Sequence, residues 1–528
     1  YSQSEDRATK PKRLHESRLM PIQAFPINCD GGLVLDKSVF VAKPGEAITL
    51  QNYEPSVTGG YAKIKGFSKY DDNQVAGSGG VLGVAIFQNK VVAARGANVA
   101  TSTGSGWTNF VTDRTSAERY TFTVYNWAGT EKIAMADGVN DAAMFDGSTY
   151  TALTGGAGSG AGTKPTAPEV VIEHKNHLFF CGMTSKRHLL QFSAPYSEND
   201  FSAASGAGEI SIGDEIVGLA TFRETLVVFC KDSIYRLAGS SVSDFVLQPV
   251  TRNIGCVSRF SIQEIGGDLI YLAPDGLRTV AGTEKIGDTE LGTVSKQVQS
   301  RLNDLSADQI SNISSHVIRR KSQYRLYYPT TSGSEANMTG LMAVLKRNSE
   351  TGQIGWEYAD LKGIKPMSAT HGDISDVEHV IHGDYDGGYV YKQESGSTLD
   401  GTNMACIYRT IDYNMGDVGV RKNMQRIVIN YIGTGTVSSV DMNLEYDYGD
   451  ILLPSPALYD LLDPSGSAFY GSATMATAEY DAAVYTPLYR QSVEGSGFAV
   501  AIKFTDTSTN PTYTLKGFSL EFTPGARM

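Results

Sequence analysis

Charge is scarce in this 528-residue chain. Asp, Glu, Lys and Arg make up 19% of it, below the roughly 25% of an ordinary soluble domain. Cysteine is rarer still: Cys29, Cys181, Cys230, Cys256 and Cys406 are odd in number, widely spaced and never in a CxxC pair. That excludes a disulfide framework and points to folding in a reducing compartment. No apolar run approaches the roughly 18 residues of a membrane span; the longest, such as 81–87, are strand-sized. The first residues, YSQSEDRATKPKRLHESRLMP, lack the apolar centre of a secretory signal. Basic excess is missing too. Forty-five Lys and Arg against 57 Asp and Glu leave a net charge of −12, the wrong sign for a protein that grips nucleic acid by its phosphates.

What the chain does have is glycine (56), tyrosine (28) and phenylalanine (20), with Ser, Thr and Gly crowding the connecting stretches. This mix suits many short strands and tight turns, and disfavours a helical bundle or coiled coil. With 41% hydrophobic residues, the chain can bury large cores.

One pattern recurs between 77 and 400: an apolar strand, a polar turn, a strongly apolar strand, a second turn, then a strand ending in an aromatic. EVVIEHKNHLFFCGMTSKRHLLQF, DEIVGLATFRETLVVFCKDSIYRLAG and SRFSIQEIGGDLIYLAPDGLRTVAG show it most clearly. VLGVAIFQNKVVAARGANVATS and HVIRRKSQYRLYYP with GLMAVLKRN follow the scheme; RYTFTVYNWAGTEKIAMADG and MSATHGDISDVEHVIHGDYDGGYVYKQ are weaker versions. Seven units spaced by roughly 40 to 55 residues match the blade period of a β-propeller. The expectation is an all-β protein: a propeller of about seven blades, counted to within one, followed by an antiparallel β-sandwich over 401–528. There alternation is clean, as in Val440, Met442, Leu444, Tyr446 and Tyr448. A polar arm covers 1–24, and a strand-rich leader at 25–76 is expected to pack with the C-terminal domain. Within 284–312, Val294, Val298, Leu302 and Leu305 fall on one face of a short amphipathic helix. That face must dock on the propeller or on a neighbouring subunit, so these four are the interface candidates.

No catalytic constellation emerges. His174 and His177, like His379 and His382, are three apart on predicted strands, where such residues point to opposite faces and make no metal pair without a turn. Asp384 and Asp386 open like a calcium loop, yet no acidic residue closes it, and a hairpin turn is the better reading. The Gly-rich runs at 77–80 and 154–168 lack the Lys-Ser/Thr of a phosphate loop and read as connections. No GxSxG or HExxH occurs. The cysteines lie in apolar runs such as LFFC and LVVFC and read as buried small hydrophobes. The reading is therefore a non-enzyme with no catalytic residues, no metal site and no cofactor. The basic clusters Arg319-Arg320-Lys321 and Arg421-Lys422 read as solvated surface or as contacts to an acidic neighbouring subunit.

Three stretches carry a resemblance. Met20 to Gln23 leads to GGYAKIKGFSKYD; ETLVVFCKDSIYRLAG runs through FVLQPVTRNIGCVSRFSIQEIGGDLIYLAPDGLRTVAG; and YRTIDYNMGDVGVRKNMQRIVINYIG through YTLKGFSLEFTPGAR ends the chain. Together they resemble the tail nozzle or hub proteins of short-tailed bacteriophages, also called tail tubular protein B or packaged-DNA stabilisation proteins. The likeness implies a structural protein of the virion tail, made in the host cytoplasm. Six copies would form a homohexameric tube below the portal, bound to a tail adaptor ring and to tail fibre or spike proteins. The tube would close the channel during packaging and conduct double-stranded DNA, without gripping it, during ejection. Six copies carry about −72, which would let DNA slide. The alternatives are a glycan-binding or glycan-cleaving propeller at the tail tip, with aromatics and carboxylates converging on one face, and a tail sheath or stopper ring.

Overall fold

The computed structural model describes residues 21–38, 41–115, 118–127, 129–155, 162–281, 293–331, 338–347, 354–433, 440–449, 458–461 and 488–527. Most of the 1–24 arm, the centre of the 154–168 run and positions 284–292 lie outside them.

Seven antiparallel meanders form a closed ring. Six are separate sheets. Their innermost strands are Val81–Phe87, Thr121–Trp127, Val170–His174, Ile216–Phe222, Gln263–Ile265 and Pro366–Ile374. The remaining sector, between the last two of these, starts at Ser314–Ile318 and continues through Gln323–Pro329, Met338–Arg347 and Ile354–Lys362. Each of the seven sequence units occupies one sector, so the chain is a β-propeller.

The turn after the innermost strand is a recurring local device. Gln88-Asn89, Lys175-Asn176, Arg223-Glu224, Gly266-Gly267 and Ser375-Asp376 all have positive φ at both positions. That is the signature of the two-residue type I′ hairpin, whose twist matches that of the flanking strands. The second strand of each blade is buried on both faces, which explains why it reads as a continuous apolar run rather than as alternation. Neighbouring blades enclose separate clusters: Phe87 and Val92 meet Met135 and Phe145, and Phe179 and Phe192 meet Leu226 and Val228.

The leader closes the ring. Phe67–Lys69 pairs with Val390–Gln393 as the outer strand of the final blade, so the propeller begins ahead of position 77. Gly66 has no room for a side chain there, because a Cβ would lie 1.8 Å from the Thr398 carbonyl oxygen.

The rest of the leader joins the C-terminal segment in a platform of two packed sheets. One sheet contains Tyr53–Pro55, Tyr61–Lys63, Tyr513–Arg527, Val420–Gly433 and Leu488–Ser492, with Gln23–Asn28 paired to Tyr513–Arg527. The other is the continuation of the 314–362 sector. Beyond Ile354–Lys362 it adds Ala47–Gln51, Cys406–Thr410, Val500–Asp506, Val440–Tyr446 and Tyr459–Leu461, nine strands in all. The seam is narrow: Ala47–Gln51 runs parallel to Ile354–Lys362 through the single pair Gln51–Asp360. Asn52, 1% exposed and at φ 54°, reinforces it. Its amide donates to the Ala405 and Lys362 carbonyls and accepts from the Lys362 N–H. One hydrophobic cluster extends from Leu272 and Leu326 in the propeller to Tyr408, Phe504 and Leu520 in the platform.

The amphipathic stretch differs from the helix its spacing predicts. Lys296–Arg301 is a 3-10 helix with non-helical geometry at Val298, and a separate short α-helix follows at Ala307–Ser311. The Gln297 carbonyl accepts from the N–H groups of Leu35 and Asp36, so the leader takes an acceptor that an α-helix would need.

Candidate functional site: the propeller channel

The innermost strands surround an axial cavity of about 550 Å³ to which all seven sectors contribute. Ser and Thr hydroxyls sew successive sectors together. Ser368 donates to the Val81 carbonyl at 2.8 Å, Thr121 to the Glu169 carbonyl at 2.9 Å, and Ser315 to the Phe260 carbonyl at 2.5 Å. Innermost strands of adjacent blades are not laddered, so side-chain hydroxyls satisfy carbonyls that would otherwise be buried without a donor.

At one end the channel narrows at Arg119, Arg259 and Phe260. These three also line a second cavity of about 500 Å³ on the other side of the constriction. The Arg119 guanidinium lies 3.5 Å from the Phe260 ring centroid, and that of Arg259 lies 4.7 Å from it, so two cations share one aromatic ring. Arg259 is neutralised by Glu169 at 2.5 Å, and Arg187 links Glu169 at 3.0 Å with Glu215 at 3.2 Å. Arg119 is 5% exposed and, among the described residues, donates to the carbonyls of Ser311 and Ile313 alone. Burial, and then the nearby Arg259 charge, bring its guanidinium down to about 9. His371, also on the channel wall, is lowered to about 4, first by burial and then by Arg319.

The sequence candidates lie elsewhere. Val298 and Leu302, 0% and 4% exposed, belong to the large core, and Val294 and Leu305 pack against it. The stretch therefore docks on its own chain. His174 and His177 face one another across the Lys175-Asn176 turn, so that turn does bring the pair together. His177 Nδ1 is committed to the Ser193 carbonyl at 2.6 Å, however, and the ring packs among Phe179, Phe192 and Phe245. His382 is buried against Phe67 and Tyr391 with Gln393 at 3.2 Å, and His379 sits apart from it. Among the described residues, no three His, Cys, Asp or Glu side chains cluster closely enough to hold a metal ion. Burial pushes the Cys29, Cys230, Cys256 and Cys406 thiols up to about 12, and such thiols are poor nucleophiles.

The basic clusters divide: Arg319 and Arg320 are exposed, as expected of surface residues, whereas Lys321 and Lys422 are tied within the chain. Lys321 bridges Glu54 and Glu394 at 2.7 and 2.5 Å, and buried Arg325 joins the same two carboxylates at 3.6 and 2.8 Å. This network ties the 314–362 sector to the leader and to the closing blade. Lys422, 1% exposed, donates to the carbonyls of Asp417 and Phe498. Sequence reasoning missed Arg119 and Arg259 because each is a lone arginine before an aromatic, in ERY and SRF.

No family model and no curated relative matches this chain. Among solved structures it is similar to the AfRom2 CNH domain, at 10% identity over 63% of this chain and 98% of that one, with a TM-score of 0.34. It is also similar to Raptor of Chaetomium thermophilum, at 10% identity over 65% and 30% of the two chains, with a TM-score of 0.38. PorZ, a surface component of the type-IX secretion system of Porphyromonas gingivalis, matches at 9% identity over 78% and 59%, with a TM-score of 0.37. At these values the likenesses carry no argument about function.

Proposed function

We propose that this chain is a structural subunit of a bacteriophage tail, a nozzle or hub protomer that assembles as a ring of six beneath an adaptor ring. The observation that supports this best is the nine-stranded sheet, which leaves a propeller sector and becomes one layer of the platform without a break. With a common core on both sides of the seam, the propeller and platform form a wedge without a hinge. Such a body suits a ring built from one repeated heterologous interface.

The DNA path in this reading lies between subunits. A single propeller cavity of about 550 Å³, narrowed by two arginines and a phenylalanine, has no room for a duplex whose major groove alone is roughly 12 Å wide. The net charge of −12 favours a conduit that DNA traverses without adhering. The glycan-binding alternative calls for aromatics and carboxylates converging on one propeller face. In the channel, Asp373 is the one carboxylate among the described lining residues and Phe260 is covered by Arg119; of the carboxylates of the second cavity, Glu169 and Glu215 are held in ion pairs by Arg259 and Arg187.

A fluorescence-anisotropy titration of the purified chain with a labelled duplex, at low and moderate salt, tests the conduit. The expected Kd is about 10⁻⁴ M or weaker at physiological salt, the range of ordinary non-specific association. Sub-micromolar binding with a steep salt slope would mean that the chain holds phosphates, and the sliding mechanism would fail.

A further inference from the structure

At and beside the constriction, three buried polar atoms have no hydrogen-bond partner among the described residues. Of the Arg119 guanidinium nitrogens, only Nη1 has acceptors among the described residues. Nε is buried without one, as are Arg259 Nε and Ser314 Oγ. All three side chains line the same axial cavity. Ser314 is 1% exposed and directly follows Ile313, whose carbonyl Arg119 engages. Buried donors left without acceptors cost about 1–3 kcal/mol each, and more when charged. Three at one neck call for a ligand that supplies acceptors.

The charges at the neck select the ligand further. Glu169 neutralises Arg259 and also holds Arg187. The charge of Glu118 acts on Arg119, but among the described residues Arg119 has no carboxylate in ion-pair contact. A neutral polyol would satisfy the donors and leave the Arg119 charge without such a contact, whereas an oxyanion satisfies both. Cavities on both sides of the neck, about 550 and 500 Å³, give a small ligand room to reach it.

We propose that the propeller neck is a binding site for a small oxyanion, a single phosphate or carboxylate group held by Arg119, Arg259 and the Ser314 hydroxyl. Arg119 supplies the charge and the fork of donors. Arg259, partly occupied by Glu169, supplies a second guanidinium edge, and Ser314 supplies a neutral donor.

The test is isothermal titration of the full chain, in low-salt buffer at neutral pH, with inorganic phosphate in one arm and acetate in the other. One saturable equivalent is expected in at least one arm: phosphate alone assigns a phosphoryl group, and acetate alone a carboxylate. A charge-assisted bond contributes about 1.5–3 kcal/mol, so Arg119→Gln should weaken binding tenfold or more. Ser314→Ala, a milder change that decides the matter if Arg119→Gln fails to fold, should weaken it about 2- to 10-fold. Arg426→Gln, on the platform and paired there with Glu521, should bind as wild type does. Absence of saturation below about 10 mM in both arms, a regime weaker than roughly −3 kcal/mol, would overturn the proposal. So would undiminished affinity in folded Arg119→Gln or in Ser314→Ala.

Discussion

Lys63→Met is the substitution whose cost the structure defines most sharply. Lys63, in one platform sheet, meets Asp506, at the end of a strand in the other, at 3.0 Å, and both side chains are fully buried. The ammonium also donates to the Ser508 carbonyl at 3.1 Å, while Asp506 accepts from the Ser508 N–H and hydroxyl at 2.9 and 2.7 Å. At that separation and an effective dielectric of about 20, the attraction is roughly 5 kcal/mol. Desolvating two charges consumes most of this, so the intact pair adds little net stability. Removing only the cation leaves a buried carboxylate unpaired, at about 3–5 kcal/mol. Urea denaturation followed by tryptophan fluorescence is the assay, because Trp356 packs against the same core. With a slope of about 3 kcal/mol/M, the midpoint should fall by roughly 1 to 1.7 M. Adding Asp506→Asn to Lys63→Met should recover most of the loss, since the lone charge is then gone. If the double variant were as unstable as the single one, the loss would come from packing and the electrostatic reasoning would be refuted.

Three further outcomes are expected. Leu302→Asp places a carboxylate in the large core, and a loss of at least the 2–5 kcal/mol of a truncation there is expected; a variant that melts like wild type would show the site to be open. Asn52→Ala removes the bonds that stitch the seam and strands the Lys362 N–H, at roughly 3 kcal/mol; hydrogen exchange should speed up at Ala47–Gln51 and Ile354–Lys362 before it does in the blades. Acidification should also weaken the fold. Burial lowers His174 and His371 to about 4 and His382 to about 3, whereas the unfolded chain protonates near 6.5, so stability present above 6.5 is lost as the pH falls below it. Each histidine contributes about 1.4 kcal/mol per pH unit. Glu357, raised to about 7 by burial and by its hydrogen bond with Asp30, acts in the opposite sense between 4.5 and 7 and offsets one of them. Urea midpoints should therefore drop between pH 6.5 and 5, and His382→Gln should flatten the drop; a midpoint that rises on acidification would contradict this.

The blades were legible because burial on both faces of a strand leaves an uninterrupted apolar run, as in LFFC and LVVFC. The platform was legible because its strands are half-buried: Val440–Tyr446 alternates buried and partly buried residues along its length. Closure of the ring by Phe67–Lys69 was not, since its partner at Val390–Gln393 is more than 300 positions away and three residues carry no register. The stripe at Val294, Val298, Leu302 and Leu305 correctly marked buried positions but not their backbone. Val294 and Val298 are β-branched, and Ser295 accepts the Leu277 N–H and donates to Gln299, local bonding that competes with a helix. The arginine neck was invisible because Arg119, Arg259 and Ser314 come from three sectors and match no motif.

Cryo-electron microscopy of intact virion tails would decide whether this chain is a nozzle or hub protomer. Six copies are expected in a ring below the adaptor, with DNA density on the ring axis between subunits and none inside a propeller. A different copy number, or a position at the tail tip with glycan in the propeller channel, would contradict that reading.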